Sequence, residues 1–462
     1  MASSPRRQGI NSIGIVAITA FALEASSAAA AQPGGGAPPD TFGAQPKLPQ
    51  PEQSLLPVIN WARAGSWPEG AAPGAAQGLS VKAFARGLKH PRWVYVLPNG
   101  DVLVAEAASE PASSWNPRTI AQNWVQRQAG SIVENANRIS VLRDTDGNGV
   151  ADEQGVFLQG LRQPFGMALI GDHLYVANTD SVVRYPYKEG DKAITAQGTK
   201  LVDLPVGHHW TRNILPSPDQ TKLFITVGSG SNIGEKGMNI EKDRATIWEL
   251  DLASGKHRVF AAGLRNANGM AFEPSTGALW TVVNERDEIG DDLPPDYLTS
   301  VKEGGFYGWP YSYWGKHVDE RVQPQRPDLV ATSITPDYAL GAHTASLGLA
   351  YYAGDALPPP FRNGMFIGQH GSWNRSEFSG YKVIFVPFDN GRPNGQPLDV
   401  LAGFLSEDAS ATHGRPVGVA VTRGRTLLVA DDVGNTVWHV TAAGAAAVAP
   451  SSTPGAGEHK PQ

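Results

Sequence analysis

Short apolar runs, broken by clusters of Gly, Pro, Asp and Asn, recur from residue 79 to residue 441. One unit repeats with variations: a polar or Gly-containing lead, an apolar strand, a tight turn such as PNG, PDQ or STG, and a second strand rich in Val, Leu and Ile. Its copies start at Gly87, Gly160, His208, Gly263, Ala345 and Gly414. Runs bounded by such turns read as antiparallel strands. No stretch sustains a helical period over three turns with caps, so no helix is expected. Six units over roughly 360 residues leave ~60 residues each, room for a four-stranded blade and its loops. Radial packing of such units leaves few sheet edges, so the sequence predicts an all-β, six-bladed β-propeller. A two-sheet sandwich gives no reason for a sixfold repeat. The strand at 79–85 precedes the first full unit and is expected to close the ring on the last blade.

The ends read differently. Arg6 and Arg7 precede an apolar run at 13–23 and small residues up to Ala31. That is the pattern of a secretory signal peptide over 1–31, and the run is too short to span a bilayer comfortably. The expectation is a periplasmic or secreted protein with no stable membrane span after processing. Residues 32–78 are rich in Pro, Gly and Ala and read as an extended or flexible lead-in. Residues 442–462 read as a flexible tail. The folded body is thus 79–441.

Composition narrows the chemistry. A net charge of −6 gives no basic footprint for nucleic acid. With no cysteine there is no disulfide, no Cys-ligated metal, no covalent haem and no thiol nucleophile. Redox chemistry would need a non-covalent cofactor.

The leads carry polar residues where a plain structural repeat would carry Gly, Ser or Ala: His90 and Arg92, Gln163, 208–212 (HHWTR), Arg265 and Asn266, His343, His413 and Arg415. Strand ends add VNERDE, QHGSWNR and ADD. Several arginines aimed at one funnel repel unless carboxylates or an anionic ligand lie between them. Neighbouring-blade Asp and Glu are the plain alternative to a ligand.

Taken in order, HWTRN, GLRNANGMAF, NERDEIGDDLPPDYL, GGFYGWPY and GRPVGVAV…VADD resemble the soluble pyrroloquinoline-quinone (PQQ) sugar dehydrogenases, nearest their L-sorbosone dehydrogenase branch. The resemblance covers the whole body and implies PQQ and calcium as cofactors, a sugar substrate, and a separate electron acceptor, either a cytochrome or a quinone-linked partner. It implies a catalytic histidine at His209, with His208 as the rival, and a catalytic Arg265. Arg212, Arg265, Asn266, Arg375, His413 and Arg415 are implied as cofactor-binding. Gln163 and Trp210 are implied as substrate-lining. Backbone carbonyls of Glu285 and Arg286 are implied as calcium ligands, although relatives carry Gly-Pro there. His413 stands where relatives have a second arginine.

DTDGNGVADE offers an independent metal signal. Asp144, Asp146, Asn148 and Asp152 follow the first half of an EF-hand loop, but the position of the bidentate Glu is Gly155. A shortened structural calcium turn and a metal-free hairpin tip both fit. Two other functions stay open: a calcium-dependent lactonase using Asn266, Asn284 and Asp431, and a propeller used only as a binding scaffold.

Overall fold

The structure is a computed structural model and describes residues 41–52, 58–114 and 116–445. The expected signal peptide and nearly all of the expected tail lie outside these residues.

Six antiparallel four-stranded sheets form the blades of a propeller. Blade 1 is built from Pro91–Val96, Val102–Glu106, Arg138–Arg143 and Glu153–Leu158. Blade 2 is Met167–Ile170, His173–Ala177, Ser181–Pro186 and Thr199–Asp203, and blade 3 is Ile214–Pro216, Lys222–Val227, Thr246–Asp251 and His257–Ala262. Blade 4 is Asn266–Glu273, Ala278–Asn284, Pro295–Ser300 and Tyr338–Ala342. Blade 5 is Ser346–Tyr352, Gly364–Gln369, Lys382–Asp389 and Leu398–Ala402. Blade 6 takes Pro416–Val421, Leu427–Asp431 and Thr436–Ala442 from the end of the body, and its outer strand Leu79–Arg86 from the start. The ring closes as the sequence predicts.

The core is divided in the same way. Each large buried cluster fills one seam between blades: Phe165 and Met167 with Trp93 between blades 1 and 2, Tyr352 and Phe385 with Trp438 between blades 5 and 6, and Phe84 with Val94 and Leu428 between blades 6 and 1. The recurring Gly before an apolar-Ala pair on the inner strands has a steric cause. A Cβ on Gly166, Gly269, Gly348 or Gly418 would lie 2.1–2.8 Å from backbone of the next inner strand. Only glycine lets the strands approach so closely at the hub.

Two expectations need correction. The insertion after the second strand of blade 1 contains helix α1 (Pro117–Gln128), opened by Asn116, whose side chain accepts the Thr119 N–H at 2.8 Å. Its signal was the Asn-Pro pair, a cap followed by Pro at the first helical position, rather than an apolar face. The second correction concerns the lead-in, whose described residues are laced into the propeller. Phe42–Gly43 adds a fifth strand to blade 4, Gly74–Ala75 adds one to blade 5, and Arg63–Ala64 pairs in parallel with Ala411–Thr412.

No helix among the described residues is long and apolar enough to cross a membrane.

Candidate functional site

Antiparallel pairing places the leads of blades 1, 4, 5 and 6 beside the end of the second strand. Pro91 pairs with Glu106, Asn266 with Asn284, Ser346 with Gln369, and Pro416 with Asp431. The polar leads and the polar strand ends therefore occupy one face of the propeller, in two groups.

The first group lies on blades 3 and 4. His209 Nδ1 sits 3.0 Å from both the carbonyl and the hydroxyl of Ser229. A carbonyl can only accept, so Nδ1 carries the proton and Nε2, which makes no hydrogen bond, presents its lone pair. Burial, then the neighbouring His208 and Arg265, hold His209 well below the ordinary histidine pKa, so the imidazole is neutral. His208 packs edge-on against it at 4.6 Å but is exposed. Asn266 is buried, yet its side-chain amide makes no hydrogen bond and Oδ1 is fully enclosed without a partner. A Cβ on Gly228 would meet Asn266 Oδ1 at 2.5 Å and His209 Cβ at 2.6 Å. That glycine keeps the amide and the imidazole side by side.

Arg265 reaches the Asn232 side-chain oxygen at 2.8 Å, the Glu285 carbonyl at 2.5 Å and the Asp287 carboxylate at 3.6 Å. Burial pushes Asp287 up, but the hydrogen bond from His343 and the charge of Arg265 outweigh it and keep the carboxylate ionised. Burial lifts Glu285 to about 7. Arg286 pairs with Asp319, and its carbonyl accepts no hydrogen bond.

The second group joins blades 1, 5 and 6. One oxygen of the buried Asp432 takes His370 Nε2 at 2.8 Å, the Arg92 guanidinium, and His90 Nε2 at 3.4 Å. Burial first, with Arg415 also opposing charge, lowers His370 to about 3; burial likewise takes His90 to about 4. Both rings are therefore neutral beside an ionised Asp432 and a charged Arg92. The Arg92 guanidinium lies 5.5 Å from the Trp210 ring and so connects the two groups. The sequence offered His90, Arg92, His370 and Asp432 only as polar residues in leads and strand ends; their shared carboxylate was not legible, because four separated segments build it.

Several expected site residues are committed elsewhere. Arg212 is fully buried and donates to the carbonyls of Pro205, His209 and Thr211, so it shapes the His209 loop instead of binding a cofactor. Arg375 is spent on the Asp291 and Glu377 carbonyls and the Asp292 carboxylate. His413 leans on Trp67 and faces the Ser66 carbonyl at 3.2 Å. Gln163 uses its amide nitrogen to hold the Ala108 carbonyl at 2.8 Å, at the root of the blade 1 insertion. Trp210 donates to Ser109 Oγ, with one ring face under Arg92. By contrast, Arg415 binds the His370 and Gly371 carbonyls through Nε and Nη2 and leaves Nη1 without a hydrogen bond.

At the hairpin after Arg138–Arg143, carboxylate oxygens of Asp144, Asp146 and Asp152 lie within 4.8 Å of one another. Asn148 is turned into the loop's own hydrogen bonds with Asp146 and Val150, and Lys82 donates to its carbonyl.

The donor set suits an anionic, planar oxygen-rich ligand: an arginine nitrogen without a hydrogen bond at Arg415, an unpartnered amide at Asn266, and Arg265 beside the acidic strand end. It also suits a hard cation, through the open Arg286 carbonyl and the Glu285 carboxyl. The Glu285 carbonyl is less free than the sequence implied, because Arg265 already holds it.

Comparison with known proteins gives the family. An uncharacterized protein of Borreliella burgdorferi is 30% identical over 294 residues, 61% of this chain and 76% of its own. A PQQ-dependent sugar dehydrogenase of Hypocrea jecorina is 22% identical over 305 residues, covering 60% of this chain but 64% of that relative's length. The calcium structure of the Trichoderma reesei carbohydrate-active enzyme of family AA12 superposes with a TM-score of 0.67 at 18% identity, covering 84% of this chain and 99% of that one. The TrAA12-like family matches residues 73–294 and 325–443. The chain belongs to the TrAA12-like family, with PQQ-dependent sugar dehydrogenases among its homologues.

Proposed function

We propose that this protein is an exported PQQ- and calcium-dependent dehydrogenase that oxidises a sugar or sugar aldehyde and passes the electrons to a separate acceptor. The observation that carries the reading is the neutral, desolvated His209, its Nε2 open, beside the unpartnered amide of Asn266. PQQ, when bound, supplies the quinone that accepts a hydride from the substrate carbon, with calcium as the Lewis acid on its carbonyl. The chain's own residues do the rest. His209 Nε2 takes the proton of the substrate hydroxyl, and Ser229 fixes the ring tautomer that makes this possible. Arg415 Nη1 and the Asn266 amide hold the cofactor, and Arg265 sets positive charge where negative charge grows. The Arg286 carbonyl, with Glu285, holds the cation. The blade 1 insertion at 108–137 and the blade 4 loop at 287–301 border the face and set substrate choice.

The lactonase reading loses its constellation. Asn284 donates to the Ser346 carbonyl, and all of Asp431's hydrogen bonds are made within blade 6 or to the lead-in.

The test is titration of chelator-treated protein with PQQ, with and without calcium, followed by dye reduction with aldoses and L-sorbosone. Calcium-dependent binding and dye reduction are expected. Folded protein that binds no PQQ would overturn the reading.

A further inference from the structure

We propose that Trp67, in a segment upstream of the residues matched by the family, is a positioning residue of the cofactor site that acts through Asp431 on Arg415. The family match begins at residue 73, so Trp67 lies outside the matched residues. The inference rests on the proposed role of Arg415 in binding PQQ.

The segment is firmly seated. Arg63–Ala64 pairs with Ala411–Thr412, Gly65 N donates to the Thr412 carbonyl at 2.9 Å, and the Trp67 ring packs on Phe404, His413 and Trp438 at 5.3–5.6 Å. The strap thus runs over the lead of blade 6, the piece of chain that delivers Arg415. Its closing contact is the Trp67 indole N–H, which donates to Asp431 Oδ2 at 2.7 Å.

Asp431 is fully buried and has no cationic side chain bonded to it. Four N–H groups hold its charge instead: Trp67 and Trp438 on Oδ2, and the backbone amides of Arg415 at 2.7 Å and Gly434 at 2.8 Å on Oδ1. A buried carboxylate needs such donors to remain ionised. The fit is tight, since a Cβ on Gly414 would lie 2.1 Å from Asp431 Oδ2 and one on Gly434 2.2 Å from it. The carboxylate therefore lies flat against the backbone just before Arg415 and fixes where that residue starts. Even with four donors, burial raises Asp431 to about 6, and losing one donor raises it further and loosens its pose. Either change frees the Arg415 amide and moves the root of a guanidinium whose Nη1 makes no hydrogen bond.

Trp67→Phe keeps a ring in the packing and deletes only the donor. In the full-length protein it is expected to raise the PQQ dissociation constant ~10-fold, the scale of one charge-assisted hydrogen bond. Turnover at saturating PQQ should stay within about twofold, and the melting temperature within a few degrees. In the cofactor-free protein, the Arg415 amide should exchange with solvent faster than in the wild type. Asp431→Asn should weaken PQQ binding in the same direction, and adding Trp67→Phe to it should weaken binding no further, because both act on one link. A merely structural Trp67 would instead lower stability and add independently. PQQ affinity within twofold of wild type, or unchanged exchange at Arg415, overturns the inference. If wild-type protein binds no PQQ, the functional reading fails, whereas the exchange measurement still judges the Trp67–Asp431–Arg415 link.

Discussion

The two halves of the polar face use histidine in opposite ways. On blades 3 and 4, His209 leans on a neutral serine and keeps a free nitrogen next to an amide without partners. On blades 5, 6 and 1, His90 and His370 lean on Asp432, which also neutralises Arg92. The first half leaves polar capacity unspent in a buried place, which is costly unless a ligand uses it. The second half pairs its charges within the protein, apart from the open arm of Arg415, although Arg92 Nε and Asp432 Oδ1 are also buried without a partner. The difference teaches that burial alone does not mark a reactive histidine; a ring nitrogen left without a partner does.

That contrast can be broken at three points, in descending order of effect. His209→Asn should cut turnover by ~10³-fold while folding and PQQ binding persist, since a positioned general base contributes about 10²–10⁴-fold. His370→Asn should cost far less, and equal losses in steady-state assays would erase the distinction between the halves. Because His209 is neutral down to well below its ordinary pKa, its protonation should not limit kcat/KM between pH 6 and 8. Second, Asp432→Asn should destabilise the fold by about 3 kcal/mol, because it strands the buried Arg92 charge. Urea unfolding measures this, and a loss below about 1 kcal/mol would show that the cluster is not holding the blades. The smallest effect concerns Glu285. Its carboxyl titrates near 7 in the folded chain against an ordinary value of 4.5. The folded state therefore binds more protons in that window, and the stability of calcium-free protein should fall as pH rises from about 4.5 to 7. Glu285→Gln should flatten that slope; an unchanged slope would assign it to other groups.

The sequence made the ring legible because its signals are local. Each unit carries its own turn, and four of the six carry an inner-strand glycine, so six starting points and the closing strand could be read without knowing any contact. Arg265, Asn266 and Arg415 stood out as candidates for the same reason, sitting at one place in the unit. What resisted was whatever depends on the partner. Arg212 and Arg375 have the charge expected of anion-binding residues, yet carbonyls and Asp292 consume them. Only the folded chain shows where a guanidinium is spent. The lead-in misled because its Gly and Pro content suits a loose chain, while its β-pairing partners lie more than 200 residues away in sequence.

Closure of the ring by Leu79–Arg86 against Thr436–Ala442 also has a kinetic side. The outer strand of blade 6 is made before any of the other 23 strands of the six four-stranded blades, and its partner only after every other blade. While the chain is being synthesised, that early strand has an unpaired edge and the seam between blades 6 and 1 stays open. The final cooperative step thus waits for the last blade strand to be made. A stop codon or proteolytic cut before residue 436 would leave five complete blades with an exposed apolar flank, a species prone to aggregate.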